Sequence, residues 1–153
     1  MFNQGTVALT LANLPSVADL PRGYELPAAY FRLGADNVRR YLEAVEDHSS
    51  AYGQGPDGPA WVPPLAVAAL ALRAILEQVR LPAGALHAGQ EVDFRRPVSV
   101  GAFMRSRARV AQRSEMRGAV VSVIEFEVGE DGSPTPAVVG RATIIAPRGE
   151  APS

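Results

Sequence analysis

The sequence predicts an α+β domain in which one curved antiparallel sheet wraps around a buried apolar helix. Two observations carry that reading. The run from Pro64 to Leu72 holds no polar residue, and a helix apolar on every side has to be enclosed by other structure. From Ala88 onward the pattern changes to period two, with Gln90, Val92, Phe94 and Arg96 sharing one face and Glu91, Asp93 and Arg95 the other. Such alternation is the mark of half-buried strands.

Taken in order, residues 1–24 carry Pro15, Pro21 and Gly23 and no sustained period, although Val7, Leu9 and Leu11 alternate as a short edge strand would. Leu26 to Leu33 reads as a strand. Asp36 then caps a helix whose Val38, Tyr41, Leu42 and Val45 fall at i, i+3, i+4 and i+7. A polar, glycine-rich loop follows from Asp47 to Ala60. The apolar helix opens at Pro63-Pro64, where a missing N–H costs nothing because first-turn donors are unpaired anyway. Pro82 and Gly84 stop it after about Val79 or Arg80.

Three further strands are expected at Ala102–Gln112, Ala119–Val128 and Ala137–Ala146, the last two joined by a turn at Asp131-Gly132. Arg105, Arg107 and Arg109 occupy one side of the first of these. With a turn centred near Met116, Arg105 faces Glu127 and Arg107 faces Glu125. Opposite charges across a ladder stabilise by roughly 0.2–1 kcal/mol each.

Composition narrows the function classes. The 153 residues suffice for one domain with a real core. The hydrophobic fraction of 47% and the charged fraction of 20% belong to a globular protein. A net charge of -1 sets up no field for nucleic acid or an anionic membrane, so neither is an expected partner. The longest apolar stretch is too short to span a bilayer, and the N-terminus lacks the basic start of a signal peptide. There is no cysteine, hence no thiol nucleophile, and the two histidines are not at ligand spacing with carboxylates. A cytoplasmic protein without metal or cofactor is expected.

Pro63-Pro64, the apolar helix and the segment L-H-x-G-Q-E-x-x-F-x-R-P-V-x-x-G, Leu86 to Gly101, resemble the MaoC-like hydratase/dehydratase family. The similarity runs from about Leu26 to Pro147 and is nearest to the N-terminal-half or non-catalytic-subunit type. It implies the hot-dog fold, an antiparallel sheet wrapped around a long central helix. On that basis residues 1–24 form an N-terminal extension, 25–148 a single hot-dog domain and 149–153 a flexible tail. The resemblance also implies an acyl-CoA or acyl-carrier-protein thioester as substrate and a second hot-dog as partner, in a homodimer or a heterodimer.

Active members of the family carry a loop G-D-x-N-P-[aliphatic]-H. The matching residues here are Glu46-Asp47-His48-Ser49-Ser50-Ala51-Tyr52, in which only Asp47 is kept among the polar members. Hydration of an enoyl thioester needs a group titrating near neutrality, which histidine supplies and the Tyr52 phenol, ordinarily at about 10, does not. The histidine-glycine that opens the helix in active relatives aligns with Pro63 and Pro64, so a backbone oxyanion donor is missing. Losing one such donor typically costs about 2.7–4 kcal/mol of transition-state stabilisation.

Asp47 and His48 form the acid–histidine pair adjacent in sequence and are the catalytic candidates, although neighbouring loop residues commonly point apart. Tyr52, Pro64, Leu65, His87 and Arg96 are the substrate-binding candidates. Arg105, Arg107, Arg109 and Arg113 either hold phosphates or an acidic carrier surface, or form a solvated face paired with Glu125 and Glu127. The expected function is a component of a (3R)-hydroxyacyl-thioester dehydratase or enoyl-thioester hydratase with a degenerate loop. The alternatives are a stand-alone hydratase or acyl-CoA thioesterase, and a non-catalytic acyl-CoA-binding homodimer.

Overall fold

The computed structural model describes residues 13–53 and 59–149. The alternation at Val7–Leu11 lies outside the described residues. Five strands form one antiparallel sheet: β1 Ala29–Arg32, β2 Leu86–Phe94, β3 Phe103–Met116, β4 Ala119–Glu130 and β5 Val138–Pro147, in spatial order β1-β3-β4-β5-β2. Two α-helices precede β2, α1 at Ala35–Ala44 and α2 at Pro64–Leu76.

β4 shows why the sheet has two unlike faces. Val120, Ser122, Ile124, Phe126 and Val128 are buried, while Glu125 and Glu127 point the other way. Ala66, Val67, Ala71 and Ile75 of α2 join this buried face together with Met104 and Val110 of β3 and Val138 and Ile144 of β5. Burying such aliphatic side chains contributes about 1.5–3 kcal/mol each, which makes this layer the main source of stability. Val17, Ala18 and Leu20 belong to the same core, held in place because the Val17 N–H donates to the Arg80 carbonyl at 3.0 Å and the Arg80 N–H to that of Pro15 at 2.8 Å.

Several expectations are corrected. The first strand is only Ala29–Arg32 rather than Leu26–Leu33. Gly34, not Asp36, is the N-cap of α1, and Asp36 lies in the first turn, where it pairs with Arg39. α2 ends at Leu76, about a turn before the expected Val79 or Arg80, with Pro63 as N-cap. It is also not enclosed on every side. Leu65 is 62% exposed, and Ala69 and Arg73 on the same strip are exposed as well. A single five-stranded layer covers one side of a helix and leaves the opposite side open.

The register between β3 and β4 also differs. Arg107 faces Glu127 and Arg109 faces Glu125, while Arg105 stands opposite Gly129. The turn is the two-residue Arg117-Gly118, both at positive φ (38° and 82°), and a bulge lies between Val110 and Gln112. Together these displace the ladder by two residues from a turn centred at Met116. The charge pairing survives: Arg109 reaches Glu125 at 2.9 Å and Arg107 lies 4.0 Å from Glu127.

β2 is the least covered element. It pairs only with β5, and every residue except Val92 is exposed. At its crossing with β5, Gly140 is a steric requirement. A Cβ there would lie 2.6 Å from the Glu91 carbonyl oxygen and 2.7 Å from the Phe126 ring.

Candidate functional site

The segment after α1 is built by short-range hydrogen bonds. The Asp47 N–H donates to the Leu42 carbonyl at 2.9 Å, ending the helix, with Glu46 in the left-handed region (φ 54°). The Asp47 carboxylate then organises the loop from Ser49 to Tyr52. Its Oδ1 accepts the Ser49 N–H at 2.9 Å and its Oδ2 accepts the Tyr52 hydroxyl at 2.9 Å. Ser49 Oγ accepts the Ala51 N–H at 3.1 Å and so starts the 3-10 turn Ser50–Tyr52. Short polar side chains favour such local bonds over a continued helix.

This loop is tied to the start of α2. The Tyr52 carbonyl accepts the N–H groups of Ala60 and Trp61 at 3.0 and 2.9 Å. Gly53 follows the Ser50–Tyr52 turn at φ 71°, a left-handed conformation that suits glycine. The Val62 N–H donates to the Val98 carbonyl at 2.8 Å, and Pro63 and Pro64 then open the helix. The backbone at Tyr52 is therefore tied to the segment that leads into α2.

Electrostatics assign the proton in that pair. The hydrogen bond to Asp47 raises the Tyr52 phenol above its ordinary value, with desolvation, the Asp47 charge and Tyr41 adding in the same direction. Tyr52 is thus a donor at neutral pH and Asp47 an acceptor. A carboxylate can accept a proton from a water at neutral pH, whereas a phenol held protonated is no base there.

At the α2 terminus, Pro63 and Pro64 have no N–H, and the Ala66 and Val67 N–H groups are spent on the Pro63 carbonyl at 2.9 and 3.2 Å. That leaves the Leu65 N–H as the first-turn donor without a backbone acceptor among the described residues. The Leu65 side chain and Pro64 are exposed.

The other sequence candidates fall elsewhere. His48 is exposed and makes no hydrogen bond among the described residues, so Asp47 pairs with Tyr52 rather than with its neighbour. His87 lies on β2 in a groove of about 1060 Å³ with Leu72, Leu76, Val79, Leu81 and Gln90, beside the C-terminal half of α2. Arg96 follows β2, its guanidinium hydrogen-bonded to Thr135 on the β4–β5 connection. Neither is hydrogen-bonded to the Asp47–Tyr52 pair. The Asp47–Tyr52 bond itself is not among the sequence expectations, although its signal is present: an aspartate two residues before a serine is a common turn former. No cluster of His, Asp and Glu suited to a metal occurs among the described residues.

No protein-family model and no curated protein sequence matches the chain. Solved structures do. The (R)-hydratase from A. caviae involved in PHA biosynthesis superposes with a TM-score of 0.67 at 22% identity, over 84% of this chain and 98% of that one. The MaoC-like dehydratase from Rhodospirillum rubrum gives 0.67 at 16% identity, over 89% and 99%. The HadBC complex from Mycobacterium tuberculosis, a 3R-hydroxyacyl-ACP dehydratase, gives 0.63 at 24% identity, over 82% and 96%. The chain has the hot-dog fold of the MaoC-like hydratases and dehydratases.

Proposed function

We propose that this chain is a component of a (3R)-hydroxyacyl-thioester dehydratase or enoyl-thioester hydratase, acting on an acyl-CoA or acyl-carrier-protein thioester in the cytoplasm. The observation that carries the reading is the Asp47–Tyr52 hydrogen bond in the loop whose backbone is tied to the segment leading into α2. The loop keeps the aspartate of the family's loop and puts a phenol where the family has an imidazole, and the Leu65 N–H has no backbone acceptor among the described residues. The aspartate half of the chemistry is retained and the group titrating near neutrality is not.

The missing half is supplied by a second hot-dog subunit with an intact loop. The uncovered strip of α2 and the free edge of β2 are where that subunit seats, and the HadBC complex is an assembly of related folds among the structural relatives. In this reading residues 25–148 form the hot-dog domain, and the groove beside His87 borders the acyl chain.

The test is turnover of crotonyl-CoA. The purified chain is expected to be inactive alone and active once mixed with a hot-dog partner carrying D-x-N-P-x-H. Turnover by the chain alone, abolished in Asp47→Ala, establishes a stand-alone hydratase instead. Tight crotonyl-CoA binding without product in either case establishes a non-catalytic binder.

A further inference from the structure

We propose that the outward face of the β1–β3 edge is a docking surface for an acidic protein segment whose carboxylates flank an apolar side chain. Of the three outward-facing arginines on β3 two are occupied, while the bulge after Val110 turns Arg113 to the opposite face, across from Ser122. Arg107 and Arg109 are paired with Glu127 and Glu125, and Arg113 holds Glu115 at 3.0 Å and the Ala18 carbonyl at 3.1 Å. Arg105 has no ion pair among the described residues, because its cross-strand neighbour on β4 is Gly129.

Arg105 is instead part of a four-residue stack that draws in Arg32, a residue far away in sequence. β1 and β3 pair Tyr30 with Arg105 and Arg32 with Phe103. The rings of Tyr30 and Phe103 stack at 5.7 Å and 13°. The Arg32 guanidinium lies 5.6 Å over Phe103, and that of Arg105 lies 6.0 Å over Tyr30. Arg32, like Arg105, makes no ion pair among the described residues. The rings are 51% and 42% exposed, and the edge of β1 away from β3 has no strand beside it among the described residues.

The chemistry of the stack selects the occupant. Each ring already faces the other ring and a guanidinium, so little ring face is left for a planar base to enter. What remains on offer is ring edge for an apolar side chain and guanidinium N–H groups for carboxylates. The exposed Arg32 guanidinium keeps its in-plane donors free for bidentate carboxylate pairing, and Arg105, whose Nε is buried, offers its terminal N–H groups. The rotamers of both are already restricted, so less entropy is lost when an anion arrives. The carboxylates in reach do not compensate them. Glu127 is committed to Arg107, and Asp131, whose N–H donates to the Phe103 carbonyl at 2.9 Å, pairs with neither arginine. Tyrosine and arginine together are the composition of interface hot spots. The surface is independent of the thioester chemistry, being on the face of the sheet opposite α2.

The experiment is fluorescence anisotropy with the full chain and a labelled helical peptide that carries glutamates around a leucine. Wild type is expected to bind, less tightly as salt rises. Arg32→Glu and Arg105→Glu are each expected to weaken binding by about tenfold or more, and Tyr30→Ala to do likewise, as hot-spot truncations do. Arg107→Ala is the control and is expected to leave binding within about twofold, as exposed pairs contribute little. Circular dichroism verifies that each variant is folded, and Arg32→Gln replaces any that is not. Failure of wild type to bind overturns the proposal, as does an equal loss in Arg107→Ala. Displacement of the peptide by ADP binding more tightly overturns it in favour of a small-polyanion site.

Discussion

Tyr52 shows how much one side chain decides. Its phenol is held protonated because the proton is shared with Asp47, and its titration is displaced upward for the same reason. A group whose folded value is raised stabilises the fold below its ordinary titration and loses that contribution as pH climbs through the folded value. The Asp47–Tyr52 bond is therefore intact at neutral pH and opens only above the ordinary phenol range of about 10. Phenolate absorbance, taken as wild type minus Tyr52→Phe, is expected to titrate later than free tyrosine. In an Asp47→Asn background the same difference is expected to move down, and an unmoved titration would refute the assignment. Tyr52→His places a group titrating near neutrality beside the same carboxylate, and a gain of crotonyl-CoA hydration by the variant is expected if Asp47 is positioned for it.

At the scale of elements, two backbone positions carry testable cost. Gly140 lets β2 and the Phe126 ring approach β5, and Gly140→Ala is expected to destabilise by about 1–3 kcal/mol, the usual penalty of overpacking. Because the nearest atom is the Glu91 carbonyl oxygen, trimming Phe126 to leucine is expected not to restore stability in urea denaturation. Arg117 occupies the left-handed region (φ 38°) in the turn between β3 and β4, where asparagine is better tolerated. Arg117→Asn is expected to raise the urea midpoint by the equivalent of about 0.5–1 kcal/mol, a part of the left-handed penalty. The same turn and the bulge beyond Val110 explain the register of the charge ladder. Alternation identified both strands and their outward arginines, but the offset between them depends on turn length and one extra residue.

The whole molecule leaves a good deal of apolar surface uncovered. Leu65 and Leu86 are each 62% exposed, and the groove of about 1060 Å³ beside α2 is open. Exposed apolar side chains beside an open groove are where an association face is expected. Native mass measurement is expected to find the chain associated with a second subunit. Leu65→Glu combined with Leu86→Glu is expected to shift the mass toward a monomer, with thermal unfolding of that monomer changed little because both sites are on the surface. An unchanged mass would place the interface elsewhere. No helix among the described residues is long and apolar enough to cross a membrane, so this surface does not belong to a spanning helix.

Local chemistry was enough to determine the element types, the apolar helix beginning at Pro64 and the turn at Asp131-Gly132, since each depends on neighbours in sequence. The tertiary structure alone decided which groups meet. It gave Asp47 the phenol of Tyr52 instead of the imidazole of His48, set His87 in a groove by the C-terminal half of α2, and brought Arg32 to Phe103 across the β1–β3 pairing. Period-two and 3.6-residue patterns specify faces but not partners, because partners depend on strand order, register and the angle at which a loop closes.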